Sequence, residues 1–317
     1  AIGGNLFVTT GGGWTPTGAF VSLTGSIDVT AAGAINVAGA SLASPLGSIS
    51  LKSTTAGVIV GAAPNLLAVD PATGSITLDA ATAVAVGQPL VAGKNITITA
   101  VSPLTLADAL TATSGNVTLA STGLLGAITT GAPVAGGGVI SYTSPGAVLA
   151  MDTLTSTGAA GGIALTSSAA GVTTNKAVLA VGDISYDAAA VVVLGASVTS
   201  TAGSVDIGTT ITPTGAVALS TPIGGATGVS IKVGGALATA AGGTLASVAG
   251  AVAVTSTGAG VVLADKVSGD AGVTVNGAGA VATLAGGTLT SVNGAVVVAC
   301  TGAGVALADD VLAGTGI

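Results

Sequence analysis

Nine aspartates in this 317-residue chain are placed where they could do chemistry: Asp28, Asp79, Asp183, Asp187, Asp206, Asp265, Asp270, Asp309 and Asp310. Asp183 and Asp187 flank one short apolar stretch, and Asp309 and Asp310 are adjacent. Paired carboxylates can cleave glycosides by acid–base chemistry or ligate calcium. The sequence offers them little help, because it has no His, Arg or Glu and only five Lys to stabilise a transition state. The acids therefore read as solubilising outward or corner residues. No catalytic residue, cofactor-binding residue or metal ligand is expected, and the chain is not expected to be an enzyme. The lone Cys300 has no intrachain disulfide partner, and without His a structural zinc site is not expected. Cys300 aligns with Ser256 and reads as a small residue at the edge of a core.

The calcium-binding nonapeptide GGxGxDxxx does not occur, which leaves acidic corners as a weak calcium candidate. A net charge of −7 with five Lys offers no basic patch for nucleic acid or an anionic membrane. At 50% hydrophobic and 5% charged, the composition lies far from that of disordered chains. Gly or a polar residue interrupts each apolar run well short of the ~18 residues of a membrane helix. Five aromatics cannot furnish the two girdles of a membrane barrel. Neither nucleic acid binding nor membrane insertion is expected.

The elements that hold these residues are written as a repeat. GAVAVTSTGAGVVLADKV (Gly250–Val267) returns 44 residues later as GAVVVACTGAGVALADDV (Gly294–Val311). Its opening, GAVAVTS, has relatives from GSIDVTA at Gly25 onwards, thirteen copies in all, at intervals of about 22 residues. The third position of the motif is always Ile or Val: Ile27, Ile49, Ile76, Ile96, Val117, Ile140, Ile163, Ile184, Val205, Val229, Val252, Val273 and Val296. The fifth position is large and apolar throughout, and the fourth is mostly Ser, Thr or Asp. A two-residue alternation of this kind means a strand with one buried and one exposed face. Gly before the strand fits a corner that needs positive φ or close backbone approach. Short apolar stretches such as Val261–Leu263 supply further strands in each period.

A unit of 22 residues cannot bury its apolar face alone, whereas stacked units form continuous ladders. The expected fold is all-β: a right-handed parallel β-helix, or β-solenoid, of about 13 coils of ~22 residues. Immunoglobulin-like sandwiches would repeat near every ~100 residues and carry a Trp in each domain, which does not fit. Regular ice-binding Thr pairs are also not supported, since only Thr97 and Thr99 form a T-x-T pair on the exposed face of the motif. Residues 25–317 read as the solenoid. Residues 1–24 hold Phe7, Trp14 and Phe20 and read as an N-terminal cap or docking segment, because open coils recruit other chains. The chain opens on Ala1 without an initiator Met or a basic leader, the pattern of a processed product or an excerpt. It closes on LAGTGI, where the solenoid is expected to continue or to stack on another subunit.

LTLADALTATSGNVTLAST (Leu104–Thr122) and GAGVVLADKVSGDAGVTVNGAG (Gly258–Gly279) resemble the haemagglutinin-type repeats of filamentous haemagglutinin-like giant adhesins. The resemblance runs from about Gly25 to the C-terminus and implies a secreted bacterial surface protein with a right-handed β-helical shaft. The asparagine-rich NPNGI-like secretion element of that family does not occur in this chain. The preferred expectation is a structural solenoid of an extracellular fibre, sheath or surface layer, whose partners are other copies of itself, head to tail and side by side. Second stands an adhesin shaft facing a host or neighbouring-cell surface, with the Lys52–Thr73 segment as a contact region. A polysaccharide-active enzyme ranks last.

Overall fold

The computed structural model describes residues 2–61 and 66–316, and among them only strands, turns and bends occur. The chain divides into two compact units, Ala1–Gly161 and Gly162–Ile317, each a stack of parallel coils. The coils are those of a parallel β-solenoid, about 14 of them at about 22 residues each.

A coil passes through three walls. In one coil, Ile76–Ala80 forms wall A, Val84–Val86 wall B and Leu90–Ala92 wall C. Wall A alternates as the motif demands: Ile76, Leu78 and Ala80 are buried, while Thr77 and Asp79 are half-exposed. Both ends of these two short strands point inward, so Val84, Val86, Leu90 and Ala92 complete the core. All thirteen third-position Ile and Val residues are at most 2% exposed. They stack in register, Ile49 against both Ile27 and Ile76 in the first unit and Val252 against both Val229 and Val273 in the second. Each such side chain contributes about 1.5–3 kcal/mol of burial.

The corners explain the glycines and serines. A Cβ on Gly47 would strike the carbonyl oxygen of Gly25 one coil back, so close approach rather than positive φ selects Gly before wall A. Ser44 donates from Oγ to the Gly25 carbonyl at 2.6 Å, and Ser200 does the same to Gly182 at 2.7 Å. Ser200 Oγ also accepts the Gly203 amide at 2.9 Å, which closes the turn. Asn side chains serve the same corner. Asn95 Oδ1 accepts the Asn116 amide at 2.9 Å, and Asn116 Oδ1 accepts the Val139 amide at 2.8 Å. These bonds satisfy backbone groups that the strands leave unpaired.

Two features depart from the simple repeat. The stack begins one coil before the first motif read in the sequence. GNLFVTT at Gly4 places Leu6–Thr10 in register with Ile27–Ala31, Trp14 bridges to Ile35, and Ala19–Val21 pairs with Ser41–Ala43. That coil accounts for the step from 13 to about 14. In the second unit wall B is split. Val192–Leu194 pairs with Val172–Thr174, whereas Val217–Leu219 starts a separate five-stranded sheet. The intervening coil inserts the loop 208–216 ahead of wall B.

Candidate functional site

The acids singled out by sequence are placed mainly at corners, where several of them hold backbone. Asp183 Oδ1 accepts the Ser204 amide at 2.8 Å and the Ser204 hydroxyl at 3.2 Å. The same hydroxyl also reaches Asp206. Asp187 is only 6% exposed, and its Oδ1 accepts the amides of Thr210 (2.9 Å) and Ile211 (3.1 Å) from the inserted loop. Asp183 precedes the wall-A strand Ile184–Ala188 while Asp187 lies within it rather than beyond its end, and each is committed to a different stretch of the following coil.

A second set recurs at the 44-residue spacing, on the corner between walls B and C. Asp265 Oδ2 accepts the Gly242 amide at 2.7 Å, and Asp309 Oδ2 accepts the Gly286 amide at 2.8 Å. Gly242 (φ +90°) and Gly286 (φ +94°) adopt left-handed turns that other residues resist. The Gly286 and Asp310 amides hold the Asp309 carboxyl below the ordinary carboxylate value. Asp310 donates one of these amides and lends its carbonyl to the Leu289 amide. Asp270 Oδ1 accepts the Asn293 side-chain amide at 2.8 Å.

Asp79 pairs with Lys52 at 3.1 Å on the solvent face of wall A, where such pairs contribute little. Asp28 lies on the same face, and burial raises its pKa. Among the described residues, no three His, Cys, Asp or Glu side chains are grouped to hold a metal ion.

The remaining sequence candidates sit in the coil framework. Cys300 is half-buried and takes the place of the corner serine, its Sγ accepting the Gly304 amide at 3.2 Å. Phe7 points outward from the first wall-A strand and is 70% exposed. Trp14 and Phe20 are half-buried, with ring centroids 5.8 Å apart and planes tilted by 59°.

No family model, curated protein or solved structure matches this chain. Its own geometry therefore carries the functional argument, and two features emerge that sequence reading did not single out: buried hydroxyls inside the core ladder and the placement of charge. Tyr142 and Tyr186 are fully buried where other coils place Leu, Ile or Val. Their hydroxyls, and those of Thr130 and Thr174 nearby, make no well-formed hydrogen bond, and burial pushes both phenols far above their usual range.

The second feature is the distribution of charge. Wall A carries Asp28, Lys52, Asp79, Asp187, Asp206 and Lys232, and the other charged residues occupy the corners on either side of wall C. Among the described residues, walls B and C and the corner from A to B bear no charged side chain. The 22-residue period holds this signal, but only the assignment of each position to a wall makes it visible.

Proposed function

We propose that this chain is a structural building block of an extracellular bacterial fibre, sheath or surface layer, made of coils that associate end to end and side by side. One observation carries the reading: each coil offers its neighbour the same in-register edge that it receives, as Ile76 does between Ile49 and Ile96. Growth by addition of coils then needs no new kind of contact. The acids support this, because Asp183, Asp187, Asp265 and Asp309 engage backbone amides of adjacent coils. The extracellular setting rests on the resemblance to haemagglutinin-type repeats. Negative-stain electron microscopy across protein and salt concentrations tests the reading. Filaments or ordered sheets are expected, and dispersed particles under every condition would overturn it.

One observation favours a second reading, the adhesin shaft. Leu124 and Leu125 are 90% and 91% exposed on a single corner loop, where they could meet a foreign surface. A glycan array and a cell-binding assay, run against a Leu124→Ser/Leu125→Ser variant, distinguish this role from assembly.

A further inference from the structure

We propose that the paired leucines Leu124 and Leu125 of one copy of this chain seat in a groove on wall C of a second copy, a contact between two different surfaces. This rests on the assembly reading above and assigns the leucine pair to it. The pair lies on the corner from A to B in the first unit, at the two central positions of a tight turn that the Gly126 amide closes on the Gly123 carbonyl at 2.8 Å. That turn does not require leucine. Gly158–Ala159–Ala160–Gly161 is closed in the same way, also at 2.8 Å, and carries two alanines. The closing glycines Gly126 and Gly161 even share a neighbour, the hydroxyl of Ser121 in one turn and of Ser156 in the other. Two leucines held 90% and 91% exposed on a pinned turn keep apolar surface in water with no gain inside the chain.

The groove lies in the second unit. Thr199, Gly224 and Ala246 follow one another in the outward column of wall C, and Thr201, Ala226 and Val248 edge it. It measures about 300 Å³, at the small end of ligand pockets, which suits one or two aliphatic side chains rather than a whole small molecule. Gly224 opens it. Its φ is not positive and a Cβ there would meet nothing within 4 Å, so neither turn geometry nor close approach selects glycine. Gly225 beside it differs, since its Cβ would strike the Gly228 carbonyl oxygen. Glycine weakens a strand interior, and one that the backbone does not need marks a place where another chain approaches closely.

Charge favours this occupant. Among the described residues the corner from A to B bears no charged side chain, so the leucine turn reaches a second copy without bringing an acid with it. Asp183 and Asp270 stand one coil to either side of the groove, on the corner between walls C and A, and turn anionic ligands away. The lining itself has no carboxylate to hold a cationic one. Two leucines in a shallow groove bury well under the ~1,200 Å² of a stable complex, so a single contact is weak and rises with concentration. Because the two surfaces differ, each contact leaves one leucine pair and one groove free. Copies then add in a chain instead of closing as a two-fold pair.

Sedimentation velocity and electron microscopy on the full chain test this. Gly224→Leu fills the groove from a position whose Cβ has open space, and Leu124→Ser/Leu125→Ser removes the side chains that enter it. Each variant alone is expected to weaken association by about tenfold or more. An equimolar mixture retains one leucine pair and one groove, and is expected to give pairs that do not grow, an outcome that misfolding of either variant would not produce. If both variants assemble like the unmodified chain, or only one of them is impaired, the contact is wrong while assembly stands. If the leucine variant loses glycan or cell binding yet self-associates normally, the pair belongs to adhesion and the contact is overturned. If the unmodified chain stays monomeric at all concentrations and salts, the assembly reading itself fails and the contact with it.

Discussion

Ile96 packs between Ile76 and Val117 with no exposure, so a smaller side chain there leaves a hole that the rigid ladder cannot close. Ile96→Ala is expected to cost about 2–5 kcal/mol in denaturant unfolding. Its outward neighbour Thr97→Ala should cost within about 0.5 kcal/mol. The buried tyrosines act in the opposite sense. Tyr142 and Thr130 each bury a hydroxyl without a well-formed bond. Tyr142→Phe/Thr130→Val is therefore expected to raise the unfolding free energy, by about 1–3 kcal/mol. Asp309 and Asp28 should titrate in opposite directions. Asp309 has a depressed folded value, so its favourable term is present above the unfolded carboxylate value and is lost as pH falls through the folded one. Asp28 has a raised value, so its term favours folding at low pH and is lost as pH rises through its folded value. NMR titration should place the Asp309 midpoint below about 3.9 and the Asp28 midpoint above it.

At the scale of elements, the inserted loop 208–216 depends on one side chain. Asp187 accepts two of its amides from a nearly buried position, and wall B is interrupted beside it. Asp187→Ala strands both amides, which is expected to cost about 1–3 kcal/mol. Hydrogen exchange should quicken first at Thr210 and Ile211, while the Val252 ladder stays protected until global unfolding. The wall-A strands were legible in advance because Ile or Val at one position and Ser or Thr at the next is a strong two-residue period. Walls B and C were harder to read, since a strand of three residues, such as Val84–Val86, is too short to show a period. The coil at Gly4–Thr10 escaped because its outward position is Phe7 rather than Ser, Thr or Asp.

Across the whole molecule, the 44-residue doubling proves to be a pair of coils that carries its own clip. Asp265 holds Gly242 and Thr239 Oγ1 accepts the Ala264 amide; Asp309 and Thr283 repeat both bonds 44 residues later. Deletion of residues 250–293 is expected to leave a cooperatively folding chain in which Asp309 takes the Gly242 amide. Deleting the single coil 271–293 removes the turn that Asp309 holds and should lower the melting temperature more. Circular dichroism and thermal melts of the two variants compare them directly. The sequence by itself determined the parallel stacked coil and its inward ladder. These follow from residue type and period, which act locally and recur. The tertiary structure alone decided which acid meets which amide and which wall is free of charge. Both depend on how residues 20 to 27 positions apart are brought side by side, and corners of unequal length set that.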